Sequence, residues 1–291
     1  MIRHQVQTKD GRVLNVGEGG DRRGMPIFAL HGTPGSLMLY PPNTADAMKR
    51  GVRLISYDRS GYGRSSPDPG RKVADAARDV ATIADFLGLE RFAVWGISGG
   101  GPHSLACAAL LPKRVVAAAS LASPAPYPSR GLDWFAGQGE DNVAEFKAAL
   151  GGPGRLNRFL APQRTQLLKA TPEEITRLWD SILPRMDKAA LSGELGQFLA
   201  SSLKSALRLG FAGWRDDDLA FVSDWGFRLS EISVPLIILQ GRHDKMVPYA
   251  HGRWLAKHLK GAETHLLPDD GHLTLLERHV PETHAWLLKR F

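Results

Sequence analysis

The sequence predicts an α/β protein: a mostly parallel sheet with helices on both faces, interrupted by an all-helical insertion. Three observations carry this reading. Short apolar runs alternate with amphipathic helical stripes up to about residue 124, and the alternation returns at about 231. Between them no strand-like run occurs. Several apolar runs also end in turns rich in Gly, Pro, Asp or His, where an open α/β sheet places its ligands. The predicted layout is therefore a core of residues 1–124 and 231–291, with a helical insertion over 125–230.

With 291 residues, the chain can bury a sizeable core without disulfides or metals. Residues 2–8 and 12–18 alternate apolar and polar around Lys9-Asp10-Gly11, a β-hairpin signal. Met25–Leu30 reads as a buried strand ending in His31-Gly32-Thr33-Pro34-Gly35-Ser36. A short helix is expected over 43–50. The strand Val52–Tyr57 follows and ends in Asp58-Arg59-Ser60-Gly61-Tyr62-Gly63-Arg64-Ser65. Residues 73–88 carry apolar positions at helical spacing. Arg91–Trp95 is a strand, His103–Leu111 a helix of small residues, and Val115–Leu121 another strand.

At Ser123-Pro124-Ala125-Pro126-Tyr127-Pro128 the rhythm breaks. Helices are predicted near 139–150, 172–183, 187–209 and 215–225, which together form a lid. Trp134, Trp179, Trp214 and Trp225, four of the seven tryptophans, lie in this stretch and suit either an apolar lid over a ligand or the packing of the insertion itself. Next come the strand Val234–Gln240, a helix near 249–259, the strand Thr264–Leu267 and a closing helix over 281–291.

Composition excludes several classes. A single cysteine, Cys107, rules out an intrachain disulfide and reads as a buried small hydrophobe. No zinc or iron–sulfur spacing is present, so no metal and no cofactor are expected. The formal charge is +7, but Lys and Arg are scattered and do not interleave with aromatics, so no nucleic-acid partner is expected. No apolar run is long enough to span a membrane, and the first residues lack the apolar centre of a signal peptide. The expectation is a cytoplasmic protein acting on a small molecule.

The stretch Val94-Trp95-Gly96-Ile97-Ser98-Gly99-Gly100-Gly101 links a strand to a helix. A serine on so tight a turn needs neighbours with almost no side chain, and Gly96 and Gly100 meet that need. The bare G-x-S-x-G pattern arises by chance in roughly one chain in ten of this length; its strand–helix context and its partners give it meaning. A serine hydroxyl needs a base, and the base needs an orienting group. Asp244 and His272 both follow predicted strands, on the same sheet edge as Ser98 and in the order Ser, Asp, His.

His31-Gly32-Thr33-Pro34-Gly35, Gly96-Ile97-Ser98-Gly99-Gly100, Gly241-Arg242-His243-Asp244 with Val247-Pro248, and Asp270-Gly271-His272 resemble four signatures of the α/β-hydrolase superfamily. Asp58–Ser65 is similar to that family's turn after the fourth strand. The resemblance covers about residues 12–124 and 231–290. It implies Ser98 as nucleophile, His272 as general base and acid, and Asp244 as orienting carboxylate. It also implies an oxyanion hole formed by the backbone N–H groups of Thr33 and Gly99. The first motif departs from the His-Gly-Gly-Pro-Gly form of proline iminopeptidases, and Gly99 stands where they carry Trp.

Val247 and Leu273, beside the acid and the base in sequence, are candidates to line the substrate pocket. His103 reads as a satisfied helix residue, and His243 as pointing away from Asp244. His251, His258, His279 and His284 read as helix-surface residues. Asp216-Asp217-Asp218 reads as a solvated helix start, and Asp58-Arg59 as a structural ion pair or turn anchor. The implied activity is hydrolysis of a small carboxylic ester, or an amide, through an acyl-enzyme. Carbon–carbon hydrolysis, cofactor-free perhydrolysis and a non-turnover receptor remain open on the same residues.

Overall fold

The computed structural model describes residues 1–291. The chain runs β1 (Ile2–Gln7), β2 (Val13–Gly20), β3 (Met25–Leu30), α1 (Pro41–Lys49), β4 (Val52–Tyr57), α2 (Asp75–Phe86), β5 (Phe92–Ile97), α3 (Gly100–Leu110) and β6 (Val115–Leu121). Six helices then follow with no strand between them: α4 (Glu140–Leu150), α5 (Pro153–Leu167), α6 (Pro172–Leu178), α7 (Arg185–Leu191), α8 (Glu194–Leu207) and α9 (Ala212–Phe221). The chain closes with β7 (Leu236–Gly241), α10 (Tyr249–His258), β8 (Glu263–Leu267) and α11 (Val280–Leu288).

The sheet order is β1-β2-β4-β3-β5-β6-β7-β8. The β1–β2 hairpin and the β2–β4 pair are antiparallel, and every pair from β4 to β8 is parallel. Side-chain alternation separates two cores. Phe28 on β3 and Val94 on β5 pack with Val80 of α2, Leu105 of α3 and Leu255 of α10. Ile27, Ala29 and Trp95 face the other way, onto Ala47 of α1 and Leu287 of α11. Period-two alternation in strands buried on both sides places helices on both faces. No helix is long and apolar enough to cross a membrane.

The insertion has its own core, in which Leu156 and Leu160 of α5 meet Leu203 and Leu207 of α8. Two expectations need correction here. Helix α5 was not expected, because Gly and Pro flank it and Pro162 lies inside it. Leu156, Leu160 and Leu167 form its buried stripe, and Pro153 at its start costs no hydrogen bond there. The single helix expected over 187–209 is two, α7 and α8, parted at Ser192-Gly193.

Phe28 is fully buried, with its ring 4.8 Å from that of Phe92. Phe28→Ala is expected to cost about 3–5 kcal/mol of stability, read as a lower urea midpoint. Phe86→Ala, at a residue 54% exposed, is expected to cost less than about 1 kcal/mol.

Candidate active site

Because β3 to β8 run parallel, the residues that follow β3, β5, β7 and β8 gather at one edge of the sheet. Ser98 stands one residue beyond β5, with φ +55°. That left-handed conformation is costly for a residue with a side chain. It is held by the Ser98 N–H donating to the Leu121 carbonyl of β6 at 2.8 Å, and by what surrounds it. A Cβ on Gly96 would overlap the Gly100 carbonyl, and a Cβ on Gly100 would overlap the Leu30 carbonyl. The turn therefore closes only with glycine at both places.

His272 and Asp244 are both buried. His272 Nδ1 lies 2.7 Å from Asp244 Oδ2, and since a carboxylate can only accept, Nδ1 carries the proton. Asp244 is fixed in turn. Its Oδ1 accepts from the N–H groups of Met246 (2.9 Å) and Val247 (2.8 Å), and its Oδ2 accepts from Gln240 Nε2 (3.1 Å). Burial works against a charged imidazole at His272, but the Asp244 charge and hydrogen bond outweigh it and raise the pKa above the ordinary 6.5. Ser98 and His272 border the same cavity. No direct hydrogen bond joins Ser98 Oγ to His272 Nε2 across the cavity they share.

The His272 loop hangs on a residue that the sequence reading passed over. Asp187 of α7 accepts from the backbone N–H groups of His272 (2.7 Å), Leu273 (2.9 Å) and Thr274 (3.1 Å). Its place in the insertion, 85 residues away in sequence, hid this role.

A second carboxylate from the insertion holds the Thr33 turn. Asp217 of α9 pairs with Arg59 (2.6 Å) and Arg71 (2.7 Å), and accepts from Thr33 Oγ1 (2.6 Å) and Tyr62 OH (2.9 Å). Arg59 also donates to the His31 carbonyl, to the Gly32 carbonyl at 3.0 Å and to Thr33 Oγ1 at 3.0 Å. Burial alone would raise the Asp217 pKa, but the charges of Arg59 and Arg71 hold it well below the usual carboxylate range. The N–H groups of Thr33 and Gly99 donate to no group of the protein.

This corrects the reading of Asp216-Asp217-Asp218 as a solvated helix start: all three are buried within α9. Asp58 and Arg59 do anchor turns, though not by pairing with each other. Asp58 accepts from the Leu37 N–H at 2.8 Å and from Asn15 Nδ2 at 2.7 Å. His251 and His284 are also buried, not on a helix surface. His251 bridges the Ala125 N–H (3.1 Å) and the Trp134 carbonyl (2.9 Å), and burial lowers its pKa to about 4. His284 meets Asp46 at 3.0 Å. His103 sits under the elbow, its Nδ1 2.7 Å from the Gly99 carbonyl. Burial and then Arg59 lower its pKa to about 3, so it is neutral. Its Nε2 has no partner, so it is less satisfied than the sequence suggested. His243 is exposed, turned away from Asp244 as expected.

Two cavity lobes meet at Ser98, sharing Thr33, Pro34, Trp179 and Met246. One lobe is bounded by core residues including Leu39 and Leu273, together with Phe198 of α8. The other is bounded by Val247, Trp134, Trp214 and polar residues of the insertion. Val247 and Leu273 thus line opposite lobes. Trp134, Trp179 and Trp214 face cavity space, whereas Trp225 packs into the core beside α2 and α3. No group of three or more His, Cys, Asp or Glu side chains is placed to hold a metal.

A parallel sheet with a serine on a strained elbow and a His–Asp pair on the same edge defines an enzyme of the α/β-hydrolase class. The chain belongs to the family described as the alpha/beta hydrolase fold, whose model matches residues 26–279. It is 26% identical over 310 aligned residues to the uncharacterized hydrolase YcgS of Bacillus subtilis, covering 98% of this chain and 97% of that one. It is 26% identical to a 2-hydroxy-6-oxononadienedioate/2-hydroxy-6-oxononatrienedioate hydrolase of Escherichia coli, covering 92% of this chain and 91% of that one. A thermophilic esterase from Thermogutta terrifontis superposes with a TM-score of 0.72 at 20% identity, covering 100% of this chain and 99% of that one.

Asp217→Asn removes the charge that two buried arginines share. It is expected to cost about 3–5 kcal/mol, measured by urea unfolding. Asp224→Asn, at an exposed pair with Lys72, is expected to leave the urea midpoint close to that of wild type.

Proposed function

We propose that this protein is a serine esterase that cleaves small carboxylic esters through an acyl-enzyme. The observation that carries the reading is the fixed His272–Asp244 pair on one cavity wall with Ser98, opposite two unengaged backbone N–H groups. Ser98 Oγ attacks the carbonyl carbon while His272 Nε2 takes its proton. The oxyanion accepts from the N–H groups of Thr33 and Gly99, helped by the positive end of α3. His272 then gives the proton to the leaving alcohol. Water repeats both steps on the acyl group and frees Ser98. Asp244 keeps the Nδ1 proton in place and stabilises the imidazolium.

The helices of residues 125–230 act as a lid, and the two lobes separate acyl group from alcohol on either side of Ser98. Neither lobe is lined by a lysine or arginine. A dicarboxylate of the kind named for the E. coli relative would enter such a site without a cationic partner, which favours an ester without negative charge over that carbon–carbon hydrolysis.

A fluorophosphonate is expected to label wild type rapidly at Ser98 and to leave Ser98→Ala unlabelled. Peptide mapping reads the site, and fast labelling of Ser98→Ala would sink the assignment.

Asp244→Asn is expected to lower turnover of a short-chain nitrophenyl ester by about 10⁴ at neutral pH. In wild type only neutral His272 can act as base, and its pKa is raised, so activity should fall as pH drops through a midpoint above 6.5. A pH–rate profile with chemistry rate-limiting checks both; a flat profile from about pH 5 to 9 would count against His272.

A further inference from the structure

The insertion-side lobe holds two buried acids that ester cleavage does not use. Asp218 of α9 borders this lobe and is 1% exposed, and no N–H or hydroxyl of another group reaches either of its carboxyl oxygens; its one hydrogen-bonding neighbour is a second acid, Glu145. Two acids buried against each other at that depth are costly unless a positive group comes to meet them. Glu145 of α4 borders the same lobe, where its Oε1 accepts from Trp214 Nε1 at 2.6 Å. Burial, then the neighbouring Glu145 charge and the hydrogen bond between the two carboxyls, raise the Asp218 pKa, and burial raises that of Glu145 as well, so the two hold a proton between them. Gln138 adds an unpartnered acceptor, its Oε1, on the same wall.

No cation of the protein forms an ion pair with these groups. Arg59 and Arg71 are turned to Asp217 and do not border the lobe. Arg215 pairs with Asp216 at 2.7 Å. The remaining wall includes the indoles of Trp134 and Trp214, whose faces attract a positive group.

We propose that this lobe is a subsite for a positively charged group of the substrate, an ammonium carried on the acyl chain or on the alcohol of the ester. The proposal rests on the serine-esterase reading for what happens at Ser98, and adds which esters are preferred. An ammonium would take the place of the proton that Asp218 and Glu145 hold between them and let both ionise, and the aromatic wall would exclude water around it.

Two matched pairs of esters test this. With charge on the acyl side, 4-nitrophenyl 6-aminohexanoate is compared with 4-nitrophenyl heptanoate. With charge on the alcohol, 6-aminohexyl hexanoate is compared with heptyl hexanoate. The wild type is expected to favour the charged member of one pair by about tenfold or more in kcat/KM. Asp218→Asn and Glu145→Gln are each expected to bring that ratio down to one or below. No preference in either pair, or a preference that both variants keep, would overturn the proposal. Turnover of none of the four esters would count against the esterase reading alone. In that event, calorimetry with n-hexylammonium and 1-hexanol decides the subsite. Binding of the ammonium that is stronger than that of the alcohol and lost in Asp218→Asn supports it; equal binding, or binding that survives the substitution, overturns it.

Discussion

One buried carboxylate ties the two halves of this chain together. Asp217 has no solvent to support its charge and depends on Arg59 and Arg71. Arg59 in turn carries the carbonyls of His31 and Gly32, so the turn that presents the Thr33 N–H is set by an ion pair reaching from the insertion. Removing one partner of such a group leaves uncompensated charge inside the protein, a larger penalty than the pair's own net contribution. The core turn and the insertion therefore cannot shift independently.

Asp187 repeats the arrangement on the other wall. It lies on a different helix of the insertion and gathers three consecutive N–H groups of the loop that carries His272. Residues after β3 and after β8, on either side of Ser98, are thus each clamped by a carboxylate that the sheet does not provide. Catalytic groups need positions set to within a fraction of an ångström. A loop at a strand end lacks the backbone ladder that fixes the strand itself, and these carboxylates supply the missing restraint.

The same insertion sets the character of the cavity. Its acids divide into two kinds. Asp187 and Asp217 are engaged by donors on both oxygens, whereas Asp218 meets only a second acid, Glu145. In an interior of low polarity, engaged carboxylates stiffen a structure and unengaged ones await a partner. Three adjacent aspartates on one helix therefore do different work, because α9 turns each toward a different neighbour.

Much was legible in the sequence. The β-strands and the positions of Ser98, Asp244 and His272 after β5, β7 and β8 follow from short apolar runs and the turns rich in Gly, Pro and Asp that end them, which are local signals. Gly96 and Gly100 could be read for the same reason, since a tight turn forbids side chains wherever it occurs. The reading failed where the deciding contacts were distant. A run of three aspartates looks solvated until two arginines more than a hundred residues away are seen to meet it. His251 and His284 carry helix-surface spacing, yet a loop over one and Asp46 beside the other bury them. Helix α5 escaped because its proline and flanking glycines are local stop signals that tertiary burial of Leu156 and Leu160 overrode. Sequence by itself determined which residues end the strands, because backbone geometry and apolar periodicity act over a few residues. Only the tertiary structure decided which carboxylates are buried and what each one holds, because burying a charge depends on partners that chain order does not bring together.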